Sequence, residues 1–299
     1  MDRLDWLRLF VAVADRASFA EAARSLGVSP TAASRGVAAL EDALGVALLR
    51  RTTRSVALTP EGAAYLERAR RALEELDDAA RSARGDQAEP RGLLVVTAPV
   101  VFGRLRILPI VVRLLRAHPE LEVRLTLTDR FSRIVEEGID VAARIGELAD
   151  STLHAARVGR VRRALVASPA YLEARGEPAA PSDLIDHDLI AFEGLSLNGE
   201  WRFGPKLATI VRCEPRLMTD SVDAAIAAAV DGVGVTRCLT YQADPHVAKG
   251  RLRYVLAAFE PPPWPVQLVY QANRVRSPNV RAFLDEARRT FREAEWGSG

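Results

Sequence analysis

Residues 18 to 31 leave the chain little conformational choice. Ser18-Phe19-Ala20-Glu21 reads as a capping box, in which the Ser18 hydroxyl accepts from the Glu21 N–H and the Glu21 carboxylate accepts from the Ser18 N–H. The helix that starts there must stop at Leu26-Gly27, because glycine takes the left-handed conformation that closes a helix and Val28 supplies the apolar contact beyond it. Ser29-Pro30 restarts the chain at once, as an N-cap followed by a proline at the first helical position, and this helix continues to about Leu44. Upstream, Leu7, Phe10, Val11 and Ala14 recur at i, i+3, i+4 and i+7, which predicts an amphipathic helix over about residues 3 to 15.

Two short helices joined by a glycine turn form a helix-turn-helix, whose second helix enters the DNA major groove with its N-terminal residues at the base edges. Ser29, Pro30, Thr31, Ser34 and Arg35 are therefore the candidate DNA-facing residues. Arg35 has the fork that matches guanine O6 and N7, and Thr31 and Ser34 bond phosphates or bases. A helical hairpin with a solvated polar face is the plain alternative. The segment Val46 to Leu58 argues against it, since Arg50-Arg51-Thr52-Thr53-Arg54 between short apolar stretches has the composition of a two-stranded wing. Arg50, Arg51, Thr53 and Arg54 are its candidate phosphate contacts, a local patch in a chain whose formal net charge is only +2.

Thr59-Pro60 opens a long helix to about Arg84. Its apolar positions Leu66, Ala69, Leu73, Leu76, Ala80 and Ala83 have coiled-coil spacing, which predicts that the Leu66, Ala69, Leu73, Leu76, Ala80 seam pairs two chains; packing onto the chain's own second domain is the alternative. Residues 85 to 92 read as a linker. Strand-like segments at 93–97, 121–127, 141–145, 164–168, 233–238 and 266–270, with a helical pattern over 102–117, then predict an α/β domain with mainly parallel sheets.

Other chemistries find no motif. The histidines, His118, His154, His187 and His246, are scattered without metal-ligand spacing, and the carboxylates form no nucleophile–base set, so neither a metal, a cofactor nor a catalytic residue is expected. Gly232 and Gly234 make no dinucleotide fingerprint. No leader pattern precedes the first helix and no apolar run reaches the ~18 residues of a membrane span, so a cytoplasmic protein without a membrane partner is expected. Cys213 and Cys238 form no CxxC; a thiol-based redox sensor using both is the alternative to a ligand-controlled regulator.

These residues also carry a resemblance. Ser18 to Ala23, Leu26-Gly27-Val28-Ser29, Ala33-Ser34-Arg35, Ala39-Leu40-Glu41, Leu44-Gly45, Leu48, the arginine cluster and Leu58-Thr59-Pro60-Glu61-Gly62 resemble the LysR-type transcriptional regulators. The likeness continues through Thr97-Ala98-Pro99-Val100, Phe102-Gly103, Val135 to Gly138, Arg144-Ile145-Gly146, Ser168 to Leu172 and Trp201-Arg202-Phe203. It implies a winged helix-turn-helix over 1–59, a dimerisation helix and hinge over 60–91, and a periplasmic-binding-protein-like effector domain over 92–299. That domain would have two halves, 92–163 with 267–292 and 164–266, around a cleft. The implied partners are double-stranded operator DNA, a second copy of the chain in a homodimer or homotetramer, RNA polymerase and a small effector. Helix N-termini after Thr97 and after Asp220-Ser221 would favour a carboxylate. Pro99, Val100, Val101, Phe102, Arg144, Ser221, Thr236 and Arg237 are the expected effector contacts, with Trp201 a further wall, and Arg144 has a structural salt bridge as its alternative. Gly36 departs from the family pattern and, at roughly 1 kcal/mol against alanine inside a helix, suggests a lost DNA contact.

Overall fold

The computed structural model describes residues 2–51, 56–83, 89–130, 134, 136–148, 153–195, 199–212 and 214–293. They divide into two compact units, Met1–Gly92 and Leu93–Gly299.

In the first unit, α1 (Arg3–Arg16) opens with a reciprocal box in which the Asp5 N–H donates to Asp2 at 2.9 Å and the Asp2 N–H donates to Asp5 at 3.0 Å. Ser18 starts α2 (Phe19–Ser25) by accepting the Glu21 N–H at 3.3 Å, but the return bond to the Glu21 carboxylate is not made, so only half of the expected box forms. Gly27, at φ +67°, turns the chain, and the Ser29 hydroxyl accepts the Ala32 N–H at 3.1 Å to start α3 (Pro30–Leu44). Phe10, Val13, Ala22, Ala23, Val37 and Leu40 fill the space between the three helices. The wing follows as β1 (Leu49–Arg51) antiparallel to β2 (Val56–Leu58), with Leu49 opposite Leu58.

Two local devices join the wing to the helices. The Glu41 carboxylate, near the end of α3, accepts both the Leu48 N–H at 2.8 Å and the Leu49 N–H at 2.9 Å. Thr59 caps α4 (Pro60–Ala83) by accepting the Gly62 N–H at 2.9 Å while its hydroxyl donates to the Ala47 carbonyl at 2.8 Å. The fit is close enough that a Cβ on Gly62 would lie 1.9 Å from the Leu48 carbonyl oxygen, so only glycine suits the position. The first turns of α4 then pack on α1. Leu66 and Ala69, expected in a seam between chains, are instead buried in the core of their own chain. The burial of one such leucine contributes roughly 1.5–3 kcal/mol to this unit, and a side chain so placed is not available to a partner. Farther along, Arg70 pairs with Asp15 and Arg8 with Asp77, while Leu73 is half-buried and Leu76 and Ala80 are exposed.

The second unit holds two five-stranded sheets. The first comprises β3 (Gly92–Ala98), β4 (Leu121–Leu127), β5 (Val141–Ile145), β6 (Leu153–Val161) and β14 (Trp264–Gln271) in the order β4-β3-β5-β14-β6. A helical segment covers it, running from α5 (Val100–Phe102) through a wide turn at Gly103–Ile107 into α6 (Leu108–Ala117). The second sheet comprises β7 (Arg163–Ala167), β8 (Leu189–Phe192), β11 (Leu217–Thr219), β12 (Val235–Leu239) and β13 (Arg253–Val255) in the order β11-β8-β12-β7-β13. Around it lie α7 (Pro169–Arg175), α8 (Val222–Val230), α9 (Thr240–Val247) and a hairpin of β9 (Glu200–Phe203) and β10 (Thr209–Arg212); α10 (Pro278–Glu293) closes the chain against α6.

The sheets are mixed rather than mainly parallel. β3 and β5 run parallel, but β14 is antiparallel to both its neighbours, as β12 and β13 are to β7. The reason is connectivity: the chain leaves the first sheet once, between β6 and β7, and re-enters it once, between β13 and β14. A bidentate pair ties these two crossings together, with Arg162 donating to Glu260 at 2.9 and 3.3 Å. Beside it, Arg163 stacks 4.3 Å over the Trp264 ring.

Candidate DNA interface and ligand cavity

The helical period divides α3 into two faces. Ala33, Gly36, Val37 and Leu40 are buried, so Gly36 belongs to the core face of the helix and not to the face that carries Thr31 and Arg35. Ser29, Pro30, Thr31 and Arg35 are exposed and Ser34 is half-exposed. Thr31, Ser34 and Arg35, at i, i+3 and i+4, form one outward stripe at the N-terminal end of the helix, the end that meets base edges in this motif. Arg50 is exposed on the first wing strand. The Arg51 side chain, Thr53 and Arg54 lie outside the described residues.

In the second unit a cavity of about 380 Å³ opens where the strands of both sheets end. Its wall is made by Pro99, Thr128, Asp129, Arg130 and residues 144–148 from the first half, and by Phe192, Gly194, Leu195, Leu239, Tyr241 and Gln242 from the second; Trp264 stands at the return crossing. Pro99, Thr128 and Gly146 follow directly on β3, β4 and β5, while Phe192 and Leu239 end β8 and β12. The carboxyl ends of strands are where ligands bind in open α/β sheets, and the volume is within the usual range for small molecules.

Of the expected effector residues, Pro99 and Arg144 line this cavity. The rest do not. Val101 and Phe102 are buried core residues, with Phe102 stacked on Phe291 at 6.0 Å and edge-on to Tyr241 at 5.7 Å. Thr236 is fully buried and donates to the Ile190 carbonyl at 3.0 Å. Arg237 bonds the Leu195 carbonyl and lies 5.4 Å over Trp201, itself a core residue of the second half. Ser221 caps α8 through the Ala224 N–H at 3.3 Å, and the Val100 N–H donates to the Asp129 carboxylate at 3.1 Å. The sequence reading missed Asp129, Glu147, Phe192, Tyr241, Gln242 and Trp264, although the position of Asp129 just past a strand end was a usable signal.

Burial pushes the Asp129 carboxyl above its ordinary range, against the Val100 bond and with the nearby Asp223 charge. Burial pulls the Arg144 guanidinium down, with the Glu137 charge opposing it. Cys238 is buried and desolvation pushes its thiol up, away from the reactive thiolate; Cys213 lies outside the described residues. Among the described residues no group of His, Cys, Asp and Glu could hold a metal, and no helix is long and apolar enough to cross a membrane.

This combination of a helix-turn-helix unit and a two-sheet unit with a cavity at its strand ends defines a DNA-binding regulator with a sensory domain. Residues 4–63 match the bacterial regulatory helix-turn-helix proteins of the lysR family, and residues 87–292 match the LysR substrate binding domain. The chain is a LysR-type transcriptional regulator. It is 34% identical over 294 residues to the HTH-type transcriptional regulator PtxR of Pseudomonas aeruginosa, covering 96% of this chain and 94% of that protein. The solved structure of CrgA, a LysR-type regulator from Neisseria meningitidis, shares 29% identity at a TM-score of 0.62, covering 96% and 98% of the two chains. Full-length AphB, a Vibrio cholerae virulence activator of the same family, shares the fold at a TM-score of 0.60 and 24% identity, covering 96% and 98%.

Proposed function

We propose that this protein is a homodimeric or homotetrameric regulator that reads an inverted-repeat operator and is switched by a small effector in the strand-end cavity. The observation that carries the reading is the outward stripe of Thr31, Ser34 and Arg35 on α3, together with an exposed Arg50 on the wing. Ser29 and Pro30 set the start of that helix, and Arg51, Thr53 and Arg54 are carried over from the sequence as further candidates for phosphate contact. A single such helix reads only a few base pairs, so a two-fold pair is needed for genomic specificity. Leu73, Leu76 and Ala80 on the distal half of α4 are the residues that pair the chains. Leu105, Leu108, Val112 and Leu115 form an exposed apolar stripe along the sensory helix and supply a second contact for a tetramer. Such a regulator works in the cytoplasm and acts on transcription through RNA polymerase bound beside it.

Arg35→Ala tests the assignment. It should weaken binding to the operator by roughly 1–3 kcal/mol, the value of a bidentate guanine contact, and weaken binding to random DNA much less. Equal losses on both DNAs refute base reading by Arg35. Arg50→Ala should weaken both and flatten the salt dependence.

A further inference from the structure

The expectation of an acidic effector rests on two helix N-termini, and the chain has already supplied both with carboxylates. At the start of the sensory helix, Asp129 occupies the Val100 N–H at 3.1 Å. At the start of α8, Ser221 takes the Ala224 N–H, and Asp223 sits in the first turn. An anion arriving at Val100 would have to displace Asp129 and settle within reach of Asp223, whose charge already acts on Asp129. The positive groups on the wall are opposed as well: Arg144 feels Glu137, and Arg130 shares the lining with Glu147.

A second observation points the same way. Phe192, Tyr241 and Trp264 all line the cavity, and aromatic faces attract cations through their ring quadrupoles. The bond to Val100 uses one oxygen of Asp129, whereas an ionised carboxylate offers about four acceptor sites.

We infer that the effector of this protein is an organic cation, whose ammonium donates to Asp129 while its apolar body lies against Phe192, Tyr241 and Trp264. This rests on the reading of the cavity as the effector site. The outcome differs from the acidic effector that the helix dipoles alone would favour, because Asp129 and Asp223 already oppose the positive ends of those helices.

The test uses the full-length protein and three probes of similar shape: phenethylammonium, 2-phenylethanol and 3-phenylpropionate, with binding followed by calorimetry and saturation-transfer NMR. Phenethylammonium should bind about tenfold or more tighter than 3-phenylpropionate, the discrimination expected of one charge-assisted hydrogen bond. Asp129→Asn, whose side-chain oxygen still accepts from Val100, should erase that preference. Leu148→Trp, at a half-buried residue of the cavity wall that also packs on the core beside it, should block all three probes, with a retained cooperative urea transition showing that the variant is folded. If 3-phenylpropionate binds as well as the amine and Leu148→Trp blocks it, the cation inference fails and the cavity reading stands. An amine preference that survives Asp129→Asn overturns the role of Asp129. No binding of any probe, or binding that Leu148→Trp leaves intact, overturns the cavity reading and the inference together.

Discussion

Glu41 holds the wing to the recognition helix, and its removal has a calculable cost. One carboxylate oxygen accepts two backbone N–H groups, those of Leu48 and Leu49, at 2.8 and 2.9 Å. A hydrogen bond to a charged group contributes about 1.5–3 kcal/mol net, and both bonds are partly buried, so the lower half of that range applies to each. Glu41→Ala should therefore destabilise the first unit by roughly 3–4.5 kcal/mol. Glu41→Gln keeps an oxygen in place but loses the charge, which about halves each bond and leaves a loss of roughly 1.5–2 kcal/mol. Amide hydrogen exchange gives the most direct readout: protection at Leu48 and Leu49 should fall sharply in the alanine variant and partly in the glutamine variant, while the amides of α1 lose only the global difference. Because β1 follows from these two residues, affinity for operator and random DNA should fall together. If Glu41→Ala stays within about 0.5 kcal/mol of the parent, the range of an ordinary surface substitution, and Leu48 and Leu49 keep their protection, the carboxylate is not the clasp.

Three further outcomes follow from the geometry. Leu76 is 48% exposed within one chain, so Leu76→Asp combined with Ala80→Asp should leave the monomer's melting behaviour nearly unchanged while sedimentation shows loss of the dimer; an unchanged mass would remove the distal half of α4 from the interface. Burial, helped by the Arg175 charge, holds His187 below its ordinary pKa, and its Nδ1 lies 3.1 Å from the Tyr171 hydroxyl. The unfolded chain thus takes up a proton near pH ~6.5 that the folded chain resists, so stability is full above that value and falls as pH drops through it; His187→Gln should flatten the urea-midpoint profile there, and an unaltered slope contradicts the assignment. Gly62→Ala should destabilise the unit through its clash with the Leu48 carbonyl, with the larger loss in DNA affinity if the wing shifts instead; an alanine variant with native stability and affinity would show that the α4 start can move freely.

The helix-turn-helix was legible because its signals are local: Ser18, Gly27 and Ser29-Pro30 each cap or turn the backbone within a few residues. The seam was legible only in part, since the spacing of Leu66 and Ala69 is the same whether a helix packs on a partner or on α1. Strand β6 went unread because it lies at a sheet edge with much of its surface exposed, so its sequence carries polar residues and no apolar run. At the cavity, two of the residues that the family resemblance suggested, Pro99 and Arg144, are part of the wall. Phe102 was misread because the residue that covers it, Phe291, comes from the far end of the chain, a contact no local pattern reports. Asp129 could have been found from its position just past the end of β4, but its bond to the amide of Val100 joins positions 29 residues apart, which no local pattern reports.

The paired crossings between the two sensory half-domains impose a mechanical constraint. The second sheet is an excursion inserted into the first, and Arg162–Glu260 pins its two ends together like the pivot of a pair of tongs. A rotation of one half against the other that keeps this pair intact would turn close to it, since both connecting segments pass there. Trp264 occupies both parts of this device, facing the cavity on one side and carrying Arg163 on the other. A molecule that touches its ring therefore acts beside the junction through which the two halves are joined.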